Sequence, residues 1–479
     1  MSHVVSMLVE FVKENWEILD LLLVVLGLVV YVAASHSPSQ RRHPSAAIAW
    51  VMGILLVPYL ALPLYLAFGS RKVSVSRTFP ASEGPSVSAA VAYPTMARSL
   101  QLGVAMGLPD PAAYDNLAIH QDGRQALQAL RRIIREASST LDISTFLIGR
   151  DVLGDEIVAR LTARARDGVR VRLLIDGIGI YLGGLPDFRA LRAAGVEVLR
   201  FVPPFNSPKR GRTNLRNHRK MVIADGKALW CGGRNLAAEY FEGDPRLFVR
   251  HSPWIDLSFD LQGELVAQAV AQFEMDWAFA KNLELPERPV RTEITGSAGA
   301  VPALAQLVDS GPDRPDDTIF NLLVSACFTS QRRILAVTPY FVPEPSLLTA
   351  LMLAARRGIR VDLVLPERSN HRLADFVRHR ALRDLVEAGA RVWLHPRMVH
   401  AKAVLVDDEL ALIGSANLDG RSLFLNYEMM VAFYDRAAVL AFADWADARQ
   451  RECSHYPYRR PGILRELSEG LLLWLAFQL

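Results

Sequence analysis

Two stretches of this chain tell one story twice: NHRKMVIADGKALWCGGRNL at 217–236 and VHAKAVLVDDELALIGSANL at 399–418. Each holds one pattern, His218-x-Lys220-x4-Asp225-x6-Gly232-Gly233-x-Asn235 and His400-x-Lys402-x4-Asp407-x6-Gly414-Ser415-x-Asn417. The apolar flanks MVIAD and AVLVD read as buried strand, where residues two apart share a face. A lone His-x-Lys on a strand is ordinarily surface decoration. Recurrence in register of His, Lys, Asp, Gly and Asn is not, and core packing would select apolar residues instead. An imidazole beside an ammonium suits a bound phosphate. The small Gly-Gly and Gly-Ser pairs permit close backbone approach ahead of the Asn amide. Asp225 and Asp407 are expected to begin the turn between two strands.

Working outward, the repetition is domain-sized. LDISTFLI (141–148) and a helix-like stretch ending RDGVRVRLLID (166–176) are matched by ILAVTPYFV (334–342) and RRGIRVDLVLP (356–366). A further helix closes on AAGVEV (193–198) or EAGARV (387–392). Gly168, Gly195 and His218 recur as Gly358, Gly389 and His400, with offsets that drift by a few residues, as indels in a duplication produce. Strands alternating with helices predict an α/β fold, two tandem domains about a pseudo-twofold axis. A site at their seam would then have paired residues.

The chain has 479 residues, 51% hydrophobic and 22% charged, with a net charge of +4. That composition is slightly oily for a soluble enzyme and too polar for a polytopic carrier. It excludes intrinsic disorder, collagen and a disulfide scaffold. Cys231, Cys327 and Cys453 are far apart, without zinc spacing, and read as small hydrophobes. The apolar excess lies near the start, in ILDLLLVVLGLVVYVAAS (18–35) and the uncharged AAIAWVMGILLVPYLALPLYLAF (46–68). A spanning helix needs about 20 apolar residues, so the two runs predict a membrane hairpin with spans at about 17–35 and 46–68. Trp16, Trp50, Tyr59 and Tyr65 are candidates for the interfacial belt, and Pro58 and Pro63 are tolerable as kinks. A cleaved signal peptide is the alternative, but Lys13 stands among Glu10, Glu14 and Glu17 rather than in a basic patch. Arg41 and Arg42 in the connector, against Lys13, Arg71, Lys72 and Arg77 outside it, lean the body toward the cytoplasm. The expected organisation is a hairpin at 1–72, a linker at 73–115, domain 1 at 116–285, a connector at 286–317, domain 2 at 318–455 and a C-terminal tail at 456–479. GILRELSEGLLLWLAFQL (462–479) reads equally as an amphipathic interfacial helix or a packed closing helix.

The halves differ in one place. About a dozen extra residues precede the first motif, in PPFNSPKRGRTNLRN, bringing Lys209, Arg210, Arg212 and Arg216 beside it. A charge run is often only a solvated loop. Here it is also a candidate dock for an anionic lipid headgroup.

The duplicated HxKxxxxD motif resembles the signature of the phospholipase D superfamily. AWVMGILLVPYLALPLYLAFG, NLRNHRK, TPYFVP (338–343) and GSANLDGRSLFLNYE (414–428) are similar to bacterial cardiolipin synthases with two N-terminal spans. Gln262-Gly263-Glu264, where Gly-Pro is common, and Asn370, where an acid is common, depart from that pattern. The resemblance implies transfer of a phosphatidyl group from one phosphatidylglycerol to another, releasing glycerol, through a phosphohistidine. It implies His218 as nucleophile and His400 as acid/base, with Lys220, Lys402, Asn235 and Asn417 on the non-bridging oxygens. Glu428 is the acid matched to His400, and Asp256 the equivalent for His218; each would fix its imidazole's tautomer. An ordinary core salt bridge is the alternative for both acids. No metal and no cofactor are expected, nor a nucleic-acid partner. Phosphatidylglycerol and anionic lipids are the expected partners, at the bacterial inner membrane with a multi-pass anchor. Hydrolysis and headgroup exchange remain open, since water is simply another acceptor. A nuclease and a non-catalytic membrane scaffold are the more distant readings.

Overall fold

The computed structural model describes residues 15–35, 44–69, 94–203, 214–244, 252–283 and 303–476. Its body is two mixed sheets of seven and nine strands. Across the first sheet the strands run Asp115–His120, Ser258–Gln262, Ala228–Gly232, Met221–Ala224, Thr140–Thr145, Arg170–Asp176 and Glu197–Phe201. Across the second, Leu304–Ser310, Glu428–Phe433, Leu410–Gly414, Ala403–Val406, Arg333–Val337, Arg360–Pro366 and Arg391–His395 follow in the same spatial order. The repetition is therefore topological, strand for strand. The last three strands of each series are parallel and the rest antiparallel.

The parallel strands RVRLLID and RVDLVLP are buried almost throughout, which is why they read as continuous apolar runs rather than alternating ones. Helices enter them through left-handed glycines: Gly168 and Gly358 have φ of +90° and +87°, Gly195 and Gly389 of +89° and +98°. No other atom approaches within 4 Å of where a Cβ would stand on any of the four, so backbone conformation alone demands glycine. Each sheet packs one face on its own helices. Leu130, Ile134 and Ile157 do so in the first half, and Leu322, Leu351 and Leu382 in the second. The inner faces share one core, in which Leu229, Phe259 and Phe273 meet Leu405, Val431, Phe433 and Phe442.

The repeat starts earlier than the sequence suggested. Leu304–Ser310, inside the expected connector, is a strand and the counterpart of Asp115–His120. Within the expected linker, Pro94–Ala105 is a helix and Ala112–Ala113 an edge strand, and both belong with the second half. Glu409 Oε2 accepts the backbone N–H of Thr95 at 2.8 Å, and Gln306 donates to the Pro109 carbonyl at 2.6 Å. Low apolar periodicity hid this strap, which adds Met106 and Leu108 to the core of the second half beside these polar anchors.

Among the described residues one helix, Trp16–Ser35, is long and apolar enough to cross a membrane. The second apolar run forms two shorter helices, Pro44–Leu56 and Pro58–Phe68, with Pro58 opening the second. Proline lacks the N–H that would continue the ladder, so the break falls where it stands. The three helices pack together, with Tyr65 against Tyr31 and Trp50 at ring centroid distances of 5.4 and 5.2 Å. At the other end Ile463–Ala476 is a helix that docks on Arg372–Glu387 through the buried Glu469, bonded to Arg383 and, at 2.9 Å, to Arg465. Ile463, Leu464 and Leu467 of that helix are exposed.

Candidate active site at the seam

His218 and Lys220 lie in the extended lead-in to Met221–Ala224, and His400 and Lys402 in that to Ala403–Val406. At the seam each lead-in pairs with the other half. Asn217 bridges Tyr427 and Val399 bridges Ile255, both parallel. The His218 N–H donates to the Tyr427 carbonyl at 2.9 Å, and the His400 N–H to the Ile255 carbonyl at 2.6 Å. One pseudo-twofold operation relates the two pairs.

That operation corrects the expected acid assignment. Asp256 and Glu428 are equivalent residues, each two positions before the strand residue paired with Gly232 or Gly414, and each faces the opposite half. His218 Nδ1 lies 3.0 Å from Glu428, and His400 Nδ1 lies 2.7 Å from Asp256. The family resemblance had implied Asp256 on His218 and Glu428 on His400. The bridges at 217/427 and 255/399 carry each acid past its own motif to the other.

The small residues in the motif serve this exchange. A Cβ on Gly233 would stand 2.2 Å from the Asp256 carboxylate. Its counterpart Ser415 instead donates its hydroxyl to Glu428 at 2.5 Å, and Ser422 adds a bond of 2.9 Å. The close approach is that of the neighbouring acid-bearing strand. Asp225 and Asp407 begin turns, with φ of +54° and +53°. Their carboxylates collect backbone N–H groups, from Ser138, Ser139 and Thr140 in one half and from Gln331, Arg332 and Arg333 in the other, all at 2.7–2.8 Å.

Lys220 donates to its own half's His218 carbonyl at 2.6 Å and Lys402 to that of His400. The Lys402 ammonium also lies 2.8 and 3.0 Å from the His400 ring nitrogens. Burial lowers both lysines, to about 7 for Lys220 and about 8 for Lys402, partly offset by Glu428 and Asp256. Burial also lowers both histidines. It acts to raise the two acids, but the neighbouring histidines and lysines outweigh it and hold Glu428 and Asp256 below their ordinary values. Ionised acids on Nδ1 of neutral imidazoles put the lone pair of each ring on Nε2, and at His400 the Lys402 ammonium lies beside it. Asn235 Oδ1 and Asn417 Oδ1 are buried without hydrogen-bond partners; Asn235 Nδ2 donates to the Tyr240 hydroxyl at 2.8 Å. Two imidazoles, two buried lysines and two buried amides are thus gathered on the paired motif segments. Among the described residues no three of His, Cys, Asp and Glu cluster as metal ligands.

Of the expected basic dock, Lys209, Arg210 and Arg212 lie outside the described residues. Arg216 is described, and it is 3% exposed and not in a solvated loop. Three residues escaped the reading of the sequence. Arg219, the variable position of the first HxK, is buried at the seam, donating to the Glu428 and Ser310 carbonyls at 3.0 Å and pairing with Asp276. Tyr240 and Trp254 pack on the His400 ring at centroid distances of 5.0 and 5.5 Å. Arg219 carries no pattern of its own. The two aromatics were legible only as neighbours of Asn235 and Asp256.

Paired HxK segments across two α/β sheets define a phospholipase-D-like centre. The family described as "Cardiolipin synthase, PLD-like domain" matches residues 130–277 and 323–449, and "Phospholipase_D-nuclease N-terminal" matches 21–70. Cardiolipin synthase A of Pseudomonas putida (strain W619) is 32% identical over 89% of this chain and 92% of its own. That of Pseudomonas aeruginosa (strain LESB58) is 32% identical over 87% and 86%. The crystal structure of phosphatidylserine synthase from Haemophilus influenzae Rd KW20 shares the fold, with a TM-score of 0.59 at 14% identity, over 80% of this chain and all of that one. The chain belongs to the cardiolipin synthase family of the phospholipase D superfamily.

Proposed function

We propose that this protein makes cardiolipin from two molecules of phosphatidylglycerol, releasing glycerol. The observation that carries the reading is the reciprocal pairing of His218 with Glu428 and His400 with Asp256 around one seam. Nε2 of one imidazole attacks phosphorus, forming an N–P bond as the P–O bond to glycerol breaks, while the other, protonated, gives its proton to the departing oxygen. The arriving phosphodiester anion raises the pKa of groups that burial has lowered, so the acid is protonated when it is needed. The hydroxyl of a second phosphatidylglycerol then attacks, loses its proton to the same base and breaks the N–P bond. Two inversions leave the configuration at phosphorus unchanged. Lys220, Lys402, Asn235 and Asn417 hold the non-bridging oxygens and stabilise the charge that builds on them.

The membrane reading completes the proposal. The hairpin of Trp16–Ser35 and the paired helices Pro44–Leu56 and Pro58–Phe68 crosses the inner membrane twice, with the body on the cytoplasmic side. The packing of those helices and the placement of Arg41, Arg42, Lys13, Arg71, Lys72 and Arg77 support it. Purified protein given vesicles of phosphatidylglycerol alone is the test. Cardiolipin and glycerol in equal amounts are expected. Phosphatidic acid as the main product would make it a hydrolase, and no lipid product would return the nuclease and scaffold readings.

A further inference from the structure

The pseudo-twofold equates positions whose chemistry differs. Beside His218 stand Arg216, Asp176 and Arg421, and their counterparts beside His400 are Met398, Pro366 and Glu239. One end of the seam thus carries two guanidiniums among the acids Asp176, Asp419 and Glu428, while the other carries Tyr240 and Trp254 against its histidine. Arg216 is 3% exposed and its counter-ion is poor: Nη1 lies 3.3 Å from Asp176 Oδ1, while Nε and Nη2 are buried without hydrogen-bond partners. Asp176 is committed elsewhere, accepting backbone N–H groups from Ile178, Gly179 and Asn217. A second guanidinium comes from the other half. Arg421 donates to the Asn214 carbonyl at 3.0 Å, and burial lowers its pKa, opposed by Asp419 and reinforced by the like charge of Arg216. A buried guanidinium with two unmet donors, facing the like charge of a second, is costly unless a further anion joins them.

The first phosphodiester is already accounted for by Lys220 and Lys402, so this is a second anion position. Building on the proposed reaction, we infer that Arg216 and Arg421 bind the phosphate of the acceptor lipid. Cardiolipin carries two phosphates separated by one glycerol. An acceptor hydroxyl at the seam therefore brings its own phosphate a three-carbon reach away. Water and simple alcohols have no such group. The pair favours the acidic lipid over the more abundant water and sets the product as a transfer rather than a hydrolysis.

The test is a competition in the full-length protein, in mixed micelles with phosphatidylglycerol as donor. Phosphatidylglycerol, glycerophosphoglycerol and ethanol compete as acceptors, and each product is expressed relative to phosphatidylethanol, so that the donor step cancels. In Arg216→Gln the cardiolipin-to-phosphatidylethanol ratio falls about tenfold or more, as expected for a lost charge-assisted contact. Arg421→Gln lowers it in the same direction, and Arg216→Lys recovers part of it. Transfer to glycerophosphoglycerol falls in parallel, because the pair reads phosphate and not acyl chains. An unchanged ratio in Arg216→Gln overturns the inference. So does loss of cardiolipin with transfer to glycerophosphoglycerol spared, which would point to the lipid surface. A wild-type protein that makes phosphatidylethanol but no cardiolipin sinks the proposed function itself, and the acceptor subsite with it.

Discussion

At the scale of single residues, the site is two imidazole–carboxylate pairs whose members come from opposite halves. Glu428→Gln removes the charge and the acceptor-only character that fix the Nδ1 proton of His218, and Asp256→Asn does the same to His400. Each change is expected to lower turnover by about 10²–10⁴-fold, the usual range for a misoriented general acid or base. Nitrogen NMR of the histidines checks the exchange: Glu428→Gln should disturb the tautomer of His218 and leave that of His400 in place. Disturbance of His400 instead would refute the crossed assignment. The lysines make a second prediction. An amine is charged below its pKa, so the cationic receptacle of the empty site is lost as pH rises through about 7 for Lys220 and about 8 for Lys402. The ratio kcat/KM, which reports the free enzyme, should fall across that window. The alkaline limb of kcat should lie higher, because bound phosphate raises both amines. Coincident limbs would show that the lysines do not meet the phosphate. The residue types here were legible from the repeated motif. Their partners were not, because spacing along the chain says nothing about which half an acid faces.

At the scale of elements, the two turns that open on Asp225 and Asp407 tie the strand after each motif to the start of another strand. Burial acts to raise the Asp225 carboxyl, but three backbone N–H groups and the Ser138 hydroxyl together outweigh it and hold it far below the usual carboxylate range. A depressed folded-state pKa gives a contribution fully present above the unfolded value near 4 and lost as pH falls from there through the folded value. Asp225→Asn is expected to cost about 1–2 kcal/mol at neutral pH, less at pH 3, by denaturant titration. Equal cost at both pH values would mean that charge is irrelevant there. Gly233→Ala makes a different kind of demand, placing a methyl group against the Asp256 carboxylate. Turnover should fall by about tenfold or more through a displaced acid, with His400, on Asp256, the histidine whose NMR signals move. The strands and helices of both halves were readable from apolar runs and from paired glycines such as Gly168 and Gly358. The strap at 94–113 was not, since its anchors Glu409 and Gln306 and its apolar partners lie far along the chain, and neither was the strand Leu304–Ser310, which pairs with the distant Glu428–Phe433.

At the scale of the whole molecule, an N-terminal helical hairpin is followed by two sheets that share one core. If the hairpin spans the membrane, full-length protein should resist alkaline carbonate extraction, and a chain lacking residues 1–72 should be released. Release of the full-length chain would reduce the hairpin to a peripheral element. The duplication itself was visible in the sequence, and so was the oily start. What the sequence withheld was the direction of exchange across the axis.

That exchange bears on ancestry. A single repeat has a histidine without its carboxylate and a carboxylate without its histidine, so it is not half an enzyme but none. The smallest arrangement that completes both pairs from one repeat is two identical copies, each supplying the other's carboxylate. With both copies in one chain the two ends of the seam are free to differ, Arg216 at one and Met398 at the other.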